Sequence, residues 1–178
     1  ASVNAHRARI AGRHADGVRP HPICTRRYIG EVLRPAVAAG AEEAGRDPRA
    51  IETVASPLIV TAPTEAELAA RVSAVRSRIS FYASTRTYRA VFELHGWEDV
   101  CEQLSVLSRQ QRWDEMERHV TDEMVHEIAV VAPYDSLAAA VVERYGGLCD
   151  RVEMSIPVDS PDDEVRLAEL VAEVRAAG

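Results

Sequence analysis

Strand-type and helix-type hydrophobic patterns alternate along this chain, and that alternation limits the fold more than any other feature. Residues 52–61 read as a buried strand through Thr53, Val54, Ala55, Leu58, Ile59 and Val60. Pro57 inside the run implies a bulge or a missing ladder bond. Residues 151–156 alternate, with Val152, Met154 and Ile156 on one face, which is a strand pattern. Ala15-Asp16-Gly17-Val18 is a turn leading into a very short strand. Helical stripes separate these runs. The order is strand, helix, strand, helix, helical insert, helix, strand, helix. Strands separated by helices imply parallel pairing through right-handed crossovers, an α/β fold.

The helices carry their own boundaries. Ile29, Val32, Leu33, Ala36, Val37 and Gly40 form one stripe, and Pro35 within it predicts a kink or restart. Gly45-Arg46-Asp47-Pro48 supplies its stop. Thr64 and Glu67 form a capping box ahead of Leu68, Val72, Val75, Ile79 and Tyr82. An insert at about 85–126 holds three stripes. They are Tyr88, Val91, Phe92, His95; then Trp97, Val100, Cys101, Leu104, Leu107; then Trp113, Met116, Val120. Ile128 to Val131 is apolar but too short to assign as strand or loop. A helix follows at 135–145 with Leu137, Val141 and Tyr145 inward. Ser160-Pro161-Asp162-Asp163 opens the last helix, with a serine cap, an early proline and acids at the positive dipole end. Its expected apolar face is Val165, Ala168, Leu170, Val171 and Val174. The first segment, 5–12, carries Ile10 and Ala11 on a short helical pattern.

Composition removes several functions. All 21 basic residues are arginine, so Schiff-base and phosphate-loop lysine chemistry is absent. A net charge of −7 opposes generic nucleic-acid binding. No apolar run approaches the roughly 18 residues of a membrane span. Cys24, Cys101 and Cys149 are odd in number and widely spaced, which reads as reduced thiols of a cytoplasmic protein. The 178 residues support one domain, read as spanning 1–178.

Few residues suggest chemistry by themselves. His6, His14, His21 and Cys24 lack a zinc spacing, so no metal site is expected. His14-Ala15-Asp16 has no nucleophile to complete a triad, and Asp16 reads as a turn residue. Arg19, Arg26 and Arg27 flank the loop around His21 and read most simply as a solvated helix start, with a cofactor or substrate carboxylate as the functional alternative. The aromatic residues of the insert read as core or interface, with a pocket lid as the functional alternative.

A resemblance supplies the rest. Arg9-Ile10-Ala11-Gly12 with Ala15-Asp16-Gly17-Val18, then His21-Pro22-Ile23-Cys24, Tyr28 and Leu33-Arg34-Pro35-Ala36, resembles the C-terminal part of the bacterial-luciferase-like superfamily. Ala44-Gly45-Arg46-Asp47-Pro48, the stretch from Ile79 to Thr85, Glu93-Leu94-His95-Gly96-Trp97, Trp113-Asp114-Glu115-Met116, Thr121-Asp122-Glu123-Met124 and Glu143-Arg144-Tyr145-Gly146-Gly147 continue it to about Ile156. Within the superfamily, the likeness is greater to oxidoreductases that use the deazaflavin coenzyme F-420. Ala132-Pro133-Tyr134-Asp135 departs from the family's usual Gly-Thr pair.

The resemblance implies the last three strands of a (β/α)8 barrel, with a helical insert before the final strand. It implies hydride transfer between the deazaflavin and a small organic substrate, or monooxygenation with flavin mononucleotide (FMN). It places Ser2, Val3 and Asn4 at the cofactor phosphate, with His21 on the C-terminal rim and Arg26 toward the cofactor's acidic tail. Catalytic residues are expected in the half that has no counterpart here. A barrel takes about 250 residues, and an open parallel sheet leaves apolar edges. The chain, which opens without Met, is therefore expected to be a piece of a longer product, or to pair with another chain as a homo-oligomer. A non-catalytic half-barrel serving association is the alternative from another class.

Overall fold

The computed structural model describes residues 3–177. Helix α1 (Ala5–His14) leads into β1 (Gly17–Val18). A continuous helical rod follows, made of α2 (Arg26–Tyr28), a π-helical stretch (Ile29–Leu33) and α3 (Arg34–Glu43). Next come β2 (Glu52–Ala55), β3 (Leu58–Val60) and α4 (Glu65–Ser84). The insert holds α5 (Arg89–Glu93), α6 (Glu98–Arg109), α7 (Trp113–Met116) and α8 (Asp122–Ile128). The chain ends with β4 (Ala129–Val131), α9 (Tyr134–Tyr145), β5 (Arg151–Val152) and α10 (Pro161–Ala177).

Every strand pair is parallel, as helices between strands require. The order β1-β2-β5 places the three expected barrel strands side by side. Pro57 divides the long central strand. Below it β2 pairs with β1 and β5, and above it β3 pairs with β4. The apolar run at 128–131 is thus largely strand, with Leu58, Ile59 and Val60 opposite Ala129, Val130 and Val131. The last strand is shorter than its alternation predicts. Only Arg151 and Val152 pair, Glu153 adds one bond from its N–H to Ala55 O at 2.8 Å, and the ladder stops ahead of Pro157. Among the described residues the outer edges of β1 and β5 carry no strand, and the barrel is not closed.

The sheet has two unlike faces. Thr53 and Ala55 are buried, whereas Glu52, Val54 and Ser56 are half-buried. On this more open face lie the Arg151–Glu52 ion pair at 2.6 Å and the Arg19–Glu153 pair at 2.7 Å. Ser56 Oγ donates to the same Glu153 oxygen at 2.6 Å.

Helix packing follows small residues. A Cβ on Gly12 would stand 2.0 Å from Val37 O, and one on Gly40 would stand 1.9 Å from Arg9 O. Helices α1 and α3 therefore touch backbone to backbone, with Ala8 and Ala41 buried in the same seam. Ile10, on the same helix as Gly12, is 44% exposed. Glycine at 12 and 40 sets the seam through shape, where the stripe argument weighed hydrophobicity alone.

At Pro35 the rod restarts as the expectation allowed, α3 beginning at Arg34 with the proline in its first turn. The proline has no N–H to give, and the preceding turn widens so that Arg34 N–H bonds Ile29 O, five residues back. Thr64 caps α4 as expected, its Oγ1 accepting from Glu67 N–H at 3.3 Å, but the Glu67 carboxylate takes the Thr64 hydroxyl at 3.0 Å rather than its N–H. Two apolar faces differ from expectation. In α10 only Leu170 is buried, Val165 is 58% exposed and Ala168 is also exposed. In the third stripe of the insert, Met116 in α7 and Val120 beyond it are buried, whereas Trp113 is exposed.

Candidate functional site at the C-terminal rim of the sheet

In a helix-to-strand unit the helix N-terminus lies at the end where the strand finishes. The start of α1 and the loop after β1 therefore meet at one rim, where barrel enzymes assemble their sites. One hydrogen bond makes the meeting specific. The buried Tyr28 hydroxyl donates to Val3 O at 2.9 Å, fixing the segment that leads into α1.

Asn4 caps α1, its Oδ1 accepting from Arg7 N–H at 2.9 Å. The first turn of α1 has no acidic residue. Helices α4, α6, α8, α9 and α10 all carry acids there. The positive end of the α1 dipole is thus not compensated by an acid in its own first turn, as is also the case for α3 and α5. Ser2, expected at the same point, lies outside the described residues.

His21 stands on the loop after β1, half-buried. Its ring meets Tyr82 edge-on at 4.9 Å and Tyr88 at 4.6 Å, and those two rings are 5.0 Å apart. Ile23 N–H donates to His21 Nδ1 at 3.3 Å, which puts the ring proton on Nε2. Burial lowers the imidazole pKa. His21 is therefore a neutral ring presenting an Nε2–H donor.

Thr25 ties this loop to the insert. Its hydroxyl accepts from Tyr28 N–H at 3.1 Å and lies 2.9 Å from His95 Nε2. His95 stacks on Trp97 at 4.5 Å with an interplanar angle of 17°. Burial lowers its pKa, with Glu127 at 4.0 Å acting in the opposite direction. Cys24 beside Thr25 is buried, and that burial pushes its thiol up to about 12, so it stays a protonated, unreactive filler.

The arginines of the loop are occupied by the protein. Arg26 donates to the carbonyls of Glu143, at 3.1 Å, and Arg144 near the end of α9. Arg27 bonds Glu31 at 3.1 Å and Leu94 O at 3.0 Å, and Arg19 holds Glu153. Sequence reasoning named His21 but missed its tyrosine partners and the Thr25–His95 bond. The join spans 70 residues, and the clustering of aromatics in the insert was the available signal.

Together these features define a parallel α/β half-barrel whose rim gathers a helix N-terminus, a neutral imidazole and an aromatic wall. The chain belongs to the luciferase-like monooxygenase family, an oxidoreductase family whose profile matches residues 1–151. Uncharacterised proteins of Mycobacterium tuberculosis and Mycobacterium bovis are 40% identical to it over 152 residues, covering 85% of this chain and 45% of theirs. The chain thus spans about half the length of the curated relatives it matches.

Two solved structures share the fold. The coenzyme F-420-dependent tetrahydromethanopterin reductase of Methanopyrus kandleri matches with a TM-score of 0.72 at 21% identity, over 98% of this chain and 49% of that one. An F-420-dependent secondary alcohol dehydrogenase, in complex with an F-420–acetone adduct, matches with a TM-score of 0.63 at 18% identity, over 98% and 47%.

Proposed function

We propose that this chain forms the C-terminal half of an oxidoreductase barrel that binds the deazaflavin coenzyme F-420 and transfers hydride to or from a small organic substrate. The observation that carries the reading is the acid-free, Asn4-capped start of α1, pinned by the Tyr28–Val3 bond to the rim that holds His21. Free N–H groups there suit the cofactor's phosphate. Val3 and Asn4, with Ser2 before them, hold that phosphate, and His21 Nε2–H faces the bound group. Arg26 is committed to the carbonyls at the end of α9 and does not touch the bound group. The cofactor supplies the redox chemistry when bound, and the chain supplies anchoring and dipoles. The F-420-dependent structural neighbours support this choice of cofactor.

The family's description as monooxygenases favours a second reading, FMN with oxygen. Fluorescence titration of the 178-residue chain separates the two. Saturable deazaflavin binding without FMN binding supports the first reading, and the reverse supports the second. Binding of neither leaves the open β1 and β5 edges as the functional surface, with the chain acting as an association module.

A further inference from the structure

A cleft of about 870 Å³ opens in the insert, away from Val3, Asn4 and His21. It lies between the end of α4, the following turn, α5 and α6. Arg86, Arg89 and Arg109 line it, above small or apolar groups at Ala83, Ala90 and Val106.

The three arginines are not equivalent. Arg89 is held by Glu93 at 2.7 Å and Glu102 at 2.9 Å, so its charge is answered and its position fixed. The Arg86 and Arg109 guanidinium groups have no hydrogen bond or ion pair among the described residues. Three arginines against two glutamates leave the cleft one net positive charge, on a chain whose net charge is −7. Ser105, the one hydroxyl in the lining, donates to Ser84 O at 2.8 Å, and the rest of the floor is apolar. Cys101 within it is buried and uncharged at neutral pH, and Val106 is 42% exposed at the lip. Free guanidinium groups bind carboxylates bidentately, and the exposed apolar groups of Ala90 and Val106 favour a hydrocarbon body.

We infer that this cleft binds a medium-length organic monoanion, with Arg86 and Arg109 holding its carboxylate and its apolar body lying along Ala90 and Val106. A single negative charge balances the cleft, whereas a phosphate dianion over-fills it. The inference is independent of the cofactor reading, because no residue of the rim takes part.

Calorimetric titration of the 178-residue chain with octanoate, 1-octanol and inorganic phosphate tests it. Octanoate binds at least about tenfold tighter than either partial probe. Combining Arg86→Ala with Arg109→Ala weakens octanoate at least about tenfold while the melting temperature holds. Val106→Asp, which sets a carboxylate at the lip, weakens it as well. The inference is overturned if octanoate does not bind, if octanol or phosphate binds as tightly, or if the variants keep the parent affinity.

Discussion

Thr25 Oγ1 and His95 Nε2 stand 2.9 Å apart, joining the loop after the first strand to a helical insert 70 residues downstream. The same hydroxyl accepts from Tyr28 N–H, so one side chain serves both the start of the helical rod and the insert. Thr25→Val keeps the shape and removes both bonds. The expected cost is about 1–2 kcal/mol in urea unfolding, with Thr25→Ser close to the parent. Equal stability of the valine and serine variants would show that the hydroxyl contributes nothing.

His95 and His21 predict the acid side of the stability profile. Burial lowers both pKa values below the ordinary 6.5. The unfolded chain therefore binds protons first as pH falls. The stability from these groups is complete above about pH 6.5 and is lost as pH drops through the folded values. Glu127 and Glu123 pull His95 upward and Arg27 pushes it down, yet burial is the largest influence. Melting temperatures measured from pH 7 to 5 should decline, and His95→Gln should decline less steeply. A parallel profile in the variant rules His95 out as a source.

The α1–α3 seam makes a separate prediction. Gly40→Ala drives a methyl to within 1.9 Å of Arg9 O, which no flexible side chain can relieve. Overpacking of this kind costs about 1–3 kcal/mol or more. Gly45→Ala is the comparison, since Gly45 has φ +68° and open space around it, and costs about 1–2 kcal/mol through its left-handed backbone alone. Denaturant midpoints that rank Gly45→Ala as the more damaging change would show that the seam yields.

The alternation of patterns was enough to read parallel strands, and Pro57 announced the break between β2 and β3. Caps were equally legible, because Thr64–Glu67 and Ser160–Asp163 act within one turn. What escaped was set by distance in sequence. Ile10 is exposed because Gly12 and Gly40 bring two backbones together, and a hydrophobicity stripe contains no term for missing side chains. His21 was nameable as a rim residue, but Tyr82 and Tyr88 reach it only after α4 has folded back. Val165 misled because α10 packs at the end of the chain, with one face against α9 and little beyond it. The function rested on ordered family motifs, since no catalytic constellation is written in these residues.

Alkaline conditions should unfold the chain through its buried acids. Burial pushes Cys24 and Tyr145 up to about 12, and Cys101 and Cys149 to about 11. The unfolded thiols release protons near pH 9, so the native state holds more protons above that point. Stability is complete below about pH 9 and falls as pH rises toward 12. Melting temperatures between pH 8 and 11 should drop, and Cys24→Ala should flatten the drop while lowering the neutral-pH value. A variant as steep as the parent would remove Cys24 as a contributor.

Arg26 and His21 lie five residues apart at the same rim, yet their bonding assigns them different work. The Arg26 guanidinium is bonded to the carbonyls of Glu143 and Arg144, at the negative end of the α9 dipole. His21 keeps an Nε2–H that no group among the described residues accepts. Arg26→Ala should therefore lower stability by about 1 kcal/mol, since it uncaps α9 at a partly solvated site. Its deazaflavin affinity should stay within about twofold, because the guanidinium is already spent on α9. His21→Ala should weaken deazaflavin binding about tenfold or more, the scale of a lost hydrogen bond together with the ring contacts beside Tyr82 and Tyr88. Urea unfolding and fluorescence titration of the two variants give independent readouts. If Arg26→Ala loses the cofactor while His21→Ala keeps it, the arginine touches the ligand and the imidazole only packs the loop.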